Sequence, residues 1–341
     1  MPASVFVSGA TGFIAQHIIK LLLSKGYRVV GSVRSSEKGK HLVNTFGAKD
    51  AFTYEVVPSL EPEGAFDDAL RKHPEVTVFL HTASPVNLAA EDVEEELLKP
   101  AVKGTKNVFR AIKHYGPQIK HVVVTSSVAA QFDYSRMQDP THNVSEDSWN
   151  SITWEDSKAN PFFGYMASKK FAEKAAWEFV EQEKPNFVLN VINPVYVLGP
   201  QAYDSEVKAE LNFTAETVNK LLLLTPESEL PEFDTAFVDV RDVARAHVAA
   251  FEDKFKNQRL LLSTSAFTTH ILVDILNENF ESLRGKLPVG KPGSKEEPEC
   301  FKVNNEKTRK LLGFLFIDLK TSVVDSASQI LEVRKAVEVS A

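Results

Sequence analysis

Residues 4–15, SVFVSGATGFIA, constrain the fold more than any other stretch of the chain. Val5, Phe6 and Val7 form a short apolar run that reads as a buried strand. Gly9, Gly12 and Ala15 follow at G-x-x-G-x-x-A spacing, and from Phe13 to Leu23 the apolar residues recur at helical spacing. The glycines therefore sit where a strand turns into a helix. Gly9 permits a tight turn, Gly12 lets the backbone approach a ligand closely, and Ala15 keeps helix and strand near each other. The helix N-terminus offers free N–H groups and a positive dipole end to a pyrophosphate. A dinucleotide site is the expectation; its rival is a glycine-rich turn of an ordinary α/β domain.

Strand and helix signals then alternate. Strands are expected at 27–33, 52–57, 76–80, 120–126 and 186–192. Helical patterns fall at 37–46, 63–72, 91–114 and 161–183. Strands separated by helices imply a parallel sheet covered on both faces, with ligands at the strands' carboxyl ends. The expected class is α/β: a Rossmann-type doubly wound parallel sheet with a smaller C-terminal substrate lobe. Residues 1–195 make the dinucleotide-binding domain, with returns near 236–263. Residues 196–235 and 264–341 make the smaller lobe. Within it, 237–252 reads as a strand edge and a helix, 260–263 as a strand, and 277–298 as irregular. Helices are expected at 308–312 and 322–331.

The second strand decides which dinucleotide. An NAD-binding fold usually ends it with Asp or Glu, to hold the ribose hydroxyls. Here it ends in Val33, Arg34, Ser35 and Ser36, without an acid at the tip. Arg34 stands where a 2′-phosphate would arrive, and Lys38 lies one helical turn on. NADPH/NADP+ is thus expected over NAD. The net charge of −7, without a long basic run, argues against nucleic acid and acidic membrane surfaces as partners. No apolar run approaches a bilayer span, residues 1–13 carry no charged n-region, and a single cysteine, Cys300, fits a reducing compartment. Cytoplasmic residence is the expectation.

The chemistry is expected from Tyr165 and Lys169. Of seven tyrosines, only Tyr165 has a lysine four residues later. On a helix, i and i+4 share a face, so the ammonium lies beside the phenol. That charge is expected to lower the Tyr165 pKa and ready it to donate a proton to a carbonyl oxygen receiving hydride. Ser127 follows the 120–126 strand at the sheet's carboxyl edge, where a hydroxyl can stabilise developing negative charge. Singly, each residue also reads as an ordinary helical pair or strand-end hydroxyl. Together, on a dinucleotide fold, they read as a site.

These motifs resemble the extended short-chain dehydrogenase/reductases. The likeness runs nearly the whole chain, and residues 82–85, 193–200 and 238–244 resemble the branch that includes dihydroflavonol and cinnamoyl-CoA reductases. The resemblance implies an NADPH-dependent reductase of aldehydes and ketones, with Ser127, Tyr165 and Lys169 catalytic. It implies that Gly9, Thr11, Gly12, Phe13 and Ile14 cradle the pyrophosphate and that Arg34 and Lys38 bind the 2′-phosphate. Thr82, Ala83 and Ser84 would line the cofactor's middle, Pro194 and Val197 the carboxamide, and Thr214 would reach back from the smaller lobe.

Three departures from the family pattern stand out, the last at two positions. Ser59, followed by Leu60, stands where relatives often carry Asp beside the adenine. Ala101 replaces a frequent Asn of a catalytic tetrad. Val86 and Val128 stand where near relatives can carry aromatics, implying a wider substrate pocket bounded by Phe132, Phe162 and Tyr196. Other residues have plain readings. His81 and His121 are packed or half-exposed with no metal-ligand spacing, Cys300 has nothing to activate it, and Asp239 and Asp242 cap and pack a helix start. Rival functions are a nucleotide-sugar epimerase or dehydratase, which usually keeps NAD, and an NADP-sensing regulator without turnover. The partner is a small carbonyl compound, and the expected state is a monomer or loose homodimer.

Overall fold

The computed structural model describes residues 3–48, 50–84, 87–290 and 300–340. Pro85, Val86 and residues 291–298 of the stretch expected to be irregular lie outside the described residues. The chain begins with β1 (Ser4–Ser8), α1 (Phe13–Ser24), β2 (Arg28–Val33), α2 (Ser36–Phe46), β3 (Phe52–Val56), α3 (Asp67–Lys72) and β4 (Val76–His81). It continues through α4 (Lys99–Tyr115), β5 (His121–Thr125), β6 (Asn143–Ser145), α5 (Pro161–Glu183), β7 (Val188–Pro194) and β8 (Tyr196–Leu198). Next come α6 (Glu216–Leu221), β9 (Asp234–Asp239), α7 (Val240–Ala249), β10 (Arg259–Leu262) and β11 (Ser265–Thr268). It closes with α8 (Thr269–Asn279), β12 (Lys302–Asn304), α9 (Glu306–Leu312) and α10 (Leu319–Ser340).

Seven strands pair in the order β10-β7-β5-β4-β1-β2-β3, and every neighbouring pair is parallel. The chain winds outward from β1 to β3, then restarts at β4 on the other side of β1. That reversal opens a crevice at the carboxyl ends of β1 and β4, where open α/β sheets bind ligands. The doubly wound, Rossmann-type sheet expected from the alternation is present. The β1 run is apolar throughout because both of its faces are covered. Val5 and Val7 pack into one core, against α1 and α7, and Phe6 into the other. Phe6 stacks on Phe79 at 4.8 Å and meets Phe66 edge-on at 6.2 Å. Each fully buried Phe contributes about 1.5–3 kcal/mol.

A second sheet, in the order β11-β9-β8, shares a core with α8 and α10 built on Leu198, Phe237, Phe267, Leu272 and Val323. Only Val195 separates β7 from β8, so the chain steps directly from the large sheet to the small one. Within 236–263, β9 pairs in the small sheet and β10 at the edge of the large one. Asp239 caps α7, accepting from the Arg241 N–H at 2.8 Å, and Asp242 accepts from the Ile317 N–H at 2.6 Å, the capping and packing roles expected of them.

Some elements differ from expectation. The helix expected over 91–114 divides into a wide π-type turn, Glu94–Leu98, and α4. Pro100 at the start of α4 has no N–H to give the preceding turn, which favours such a break. α3 starts late because Gly64 turns the chain at φ +80°. The structure also adds α8, capped by Thr268 accepting from the Ile271 N–H at 3.1 Å, and extends α10 on both sides of 322–331.

Candidate active site

The dinucleotide end is built where β1 stops. Gly9 has φ +69°, and a Cβ there would come within 2.9 Å of the Ala83 Cα, so only glycine fits. The Gly12 N–H donates to the Gly9 carbonyl at 3.0 Å and closes the turn. Gly12 is also the N-cap of α1; no side chain caps that end, and no acid lies in its first turn. The positive helix end is therefore open to an anion. Thr11 and Ile14 are half-buried beside it, and Phe13 is buried. This cradle fits a diphosphate.

Ser8 joins the two strands that frame the crevice. Its Oγ accepts from the Thr82 and Ala83 N–H groups, each at 3.1 Å. Its proton is then left for His81 Nδ1 at 2.9 Å, so the hydrogen-bond network assigns the His81 proton to Nε2. Burial holds His81 down to about 4, and Lys169 pushes the same way. His81 is a packed, neutral residue. Thr82, Ala83 and Ser84 line the crevice half-buried.

Arg34 and Lys38 are exposed at the end of β2 and the start of α2. Neither forms an ion pair or a side-chain hydrogen bond with the described residues, and Ser35 caps the helix between them. Two unpaired cations at a helix N-terminus, where the dipole disfavours them, fit a phosphate partner. Ser59 is exposed, and its hydroxyl accepts from the Glu61 N–H at 3.3 Å. Leu60 is half-buried, its carbonyl held by Asn107 Nδ2 at 2.9 Å. Pro194 ends β7, Val197 lies buried in β8, and Thr214 sits half-buried ahead of α6.

The three residues singled out for chemistry come together. Ser127 follows β5, and its Oγ accepts from the Ala129 N–H at 3.1 Å. Tyr165 and Lys169 share one face of α5, whose first turn is fixed by Asn160 accepting from the Phe163 N–H at 2.9 Å. Lys169 Nζ stands 5.8 Å from the centre of the Tyr165 ring, and the Tyr165 hydroxyl lies beside the Ser127 side chain. The expected lowering of the Tyr165 pKa is corrected here. Burial raises it, and the Ser127 hydroxyl beside it offsets only part of that rise. The same burial lowers Lys169 to about 8. A dry site disfavours both charged forms, so the phenol keeps its proton.

The expected pocket residues are placed unevenly. Val128 and Phe132 are buried, and Phe132 stacks on Phe301 at 4.8 Å. Phe162 is 41% exposed on the outer side of α5, edge-on to Tyr134 at 5.5 Å. Tyr196 bonds Thr217 at 2.8 Å among Phe213, Phe233 and Phe267. Ala101 is buried in α4, and its carbonyl accepts from Thr105. Cys300 is buried and raised to about 11, so its thiol is not activated. Sequence reasoning did not single out Glu173, which the fold places behind Ser127; its signal was its spacing, four residues beyond Lys169 on the same face.

Comparison with known proteins gives this geometry a family. Residues 5–261 match the NAD dependent epimerase/dehydratase family. The chain belongs to that family, the extended short-chain dehydrogenase/reductases. A putative NADPH-dependent methylglyoxal reductase of Candida albicans is 54% identical, covering 96% of this chain and 98% of its own length. The NADPH-dependent methylglyoxal reductase of Saccharomyces cerevisiae is 47% identical, over 96% and 98%. The crystal structure of a yeast methylglyoxal/isovaleraldehyde reductase complexed with NADPH superimposes with a TM-score of 0.94, at 47% identity, covering 97% of this chain and 99% of that one. Among the described residues of this family member, no helix is long and apolar enough to cross a membrane.

Proposed function

We propose that the chain is an NADPH-dependent carbonyl reductase that converts aldehydes and ketones to alcohols, taking α-dicarbonyls, aliphatic aldehydes and aryl ketones as substrates. One observation carries the reading: a protonated Tyr165 hydroxyl beside Ser127 and Lys169, on a fold that also holds a diphosphate cradle and two cations, Arg34 and Lys38, unpaired with the described residues. The methylglyoxal reductases named above support the same chemistry.

When bound, the reduced nicotinamide supplies the hydride. Gly9, Thr11, Gly12, Phe13 and Ile14 hold its diphosphate, and Arg34 and Lys38 its 2′-phosphate. Ser59 and Leu60 lie along the adenine, Thr82, Ala83 and Ser84 along the middle, Pro194 and Val197 at the carboxamide, and Thr214 reaches in from the small sheet's side. Ser127 and Tyr165 hold the substrate's carbonyl oxygen. As the carbonyl carbon gains hydride, Tyr165 gives that oxygen its proton, and the alcohol is complete. Burial keeps the proton on the phenol at neutral pH. Lys169 holds the ribose and supplies positive charge as the phenolate forms. Alcohol oxidation needs the phenolate and is favoured at high pH. Val128, Phe132 and Tyr196 bound the substrate, the protein acts in the cytoplasm, and it works as a monomer or loose homodimer.

The test follows reduced-nicotinamide absorbance with NADPH or NADH and a panel of aldehydes and ketones. Turnover with NADPH, lost in Tyr165→Phe, is the expected result. NADPH binding without turnover on any carbonyl would overturn the reading.

A further inference from the structure

We infer that Glu173 is a positioning residue for this reaction, holding the end of β5 so that the Ser127 hydroxyl meets Tyr165; the inference rests on the reductase reading above. Glu173 follows Tyr165 and Lys169 at successive i+4 steps on α5, and its carboxylate is wholly buried. Four donors converge on it. Oε2 accepts from Ser126 Oγ at 2.6 Å and from Asn193 Nδ2 at 2.8 Å. Oε1 accepts from Arg259 Nε at 2.6 Å and from Trp177 Nε1 at 3.3 Å. Asn193 Nδ2 also donates to the Ser127 carbonyl at 3.2 Å. The helix that carries Tyr165 and Lys169 is thus tied, through one carboxylate, to the residue before Ser127 and to the side chain that donates to the Ser127 carbonyl.

The arrangement is a poor device for stability alone. Burying a carboxylate and a guanidinium costs desolvation that their attraction only partly repays, and well-packed apolar residues are often at least as stable. Among the described residues, Asn193 Oδ1 and Arg259 Nη2 are buried without a partner, a further cost. What the pair gains is geometry. Arg259 Nη1 donates to the carbonyls of Glu146 and Ser148, each at 2.7 Å, and the guanidinium lies 4.0 Å from the centre of the Trp149 ring. The carboxylate is anchored from β10 on one side and orders β5 and β7 on the other. A glutamine would turn its NH2 toward donors that need an acceptor.

The experiment compares Glu173→Gln, Ser126→Ala and Trp177→Phe with the wild type. It reads kcat, the KM for a carbonyl substrate, the Kd for NADPH by fluorescence, and Tm. Glu173→Gln is expected to lower kcat about 10- to 100-fold, the cost of a small misplacement of reacting groups, with Kd and KM held. Ser126→Ala is expected to lower kcat by less. Trp177→Phe removes the longest bond, an i+4 contact within α5 that ties no strand, and is expected to lower Tm while kcat holds. Wild-type kcat in a folded Glu173→Gln or in Ser126→Ala would overturn the inference, as would an equal kcat loss in Trp177→Phe. If Glu173→Gln fails to fold, the other two variants decide. A wild type that binds NADPH and reduces no carbonyl defeats the reductase reading instead, and that result is distinct from these.

Discussion

Ser127 and Lys169 are each less than a tenth exposed, and Tyr165 keeps only part of its ring open. Their neighbours Ser126 and Asn193 both donate to the buried Glu173 carboxylate. At the other end of the crevice, Arg34 and Lys38 stand exposed and unpaired with the described residues. The chemical end is built by the fold; on the reading proposed above, the other end is completed by a phosphate of the cofactor. Substitutions at the first should therefore change kcat, and substitutions at the second should change cofactor KM.

The largest effect is expected from Tyr165→Phe, which removes the proton donor and leaves the ring. It should lower kcat about 10²- to 10⁴-fold, the usual contribution of a positioned acid, while NADPH affinity holds. Steady-state kinetics with a fluorescence titration of NADPH checks both. A loss of cofactor affinity with kcat intact would reverse the comparison.

Burial of Lys169 gives a pH test that needs no turnover. Its pKa falls from 10.5 unfolded to about 8 folded. Between those values the unfolded chain binds the extra proton, so the stability of the wild type relative to Lys169→Met rises with pH. Below about pH 8 the whole cost of the buried charge is present. From pH 7 to 10.5 the difference should shift toward the wild type by about 3 kcal/mol. Urea unfolding of both proteins across that range measures it, and other titrations cancel in the difference. A pH-independent difference would mean that Lys169 reaches water.

What was legible in the sequence divides along the same line. The sheet was readable because apolar strands alternate with periodic helices, and Tyr165 and Lys169 because i and i+4 on one helix are local. Glu173 sits on that face too, but Ser126, Asn193 and Arg259 come from 47, 20 and 86 residues away, and only the order β5-β7-β10 gathers them. The small sheet was opaque because β8, three residues long, follows β7 after Val195 and offers no period to read. The direction of the Tyr165 shift was misjudged because a charged neighbour is visible in a sequence and burial is not. Arg34, exposed and local, was readable from the tip of β2.

At that tip, Arg34→Ala is expected to raise the KM for NADPH about 10- to 100-fold, the worth of charge-assisted hydrogen bonds to phosphate, and to leave NADH almost unchanged. Kinetics with both cofactors checks it. An equal loss for NADH would move Arg34 from the 2′-phosphate to a contact both cofactors share.

Lys38→Ala should have the smallest effect. Lys38 is exposed one helical turn beyond Arg34, and an exposed ammonium acts on a phosphate as a screened point charge rather than a fixed fork. The expected rise in NADPH KM is roughly two- to five-fold. It should shrink further as salt is raised, because screening at about 0.15 M salt already sets in within ~8 Å. The Arg34→Ala effect should survive more of that salt if its guanidinium makes direct bonds. Measuring both variants at low and high ionic strength separates a contact from a field. Equal, salt-sensitive losses would make this end of the crevice a diffuse electrostatic funnel, and the contrast with the bonded chemical end would then be sharper still.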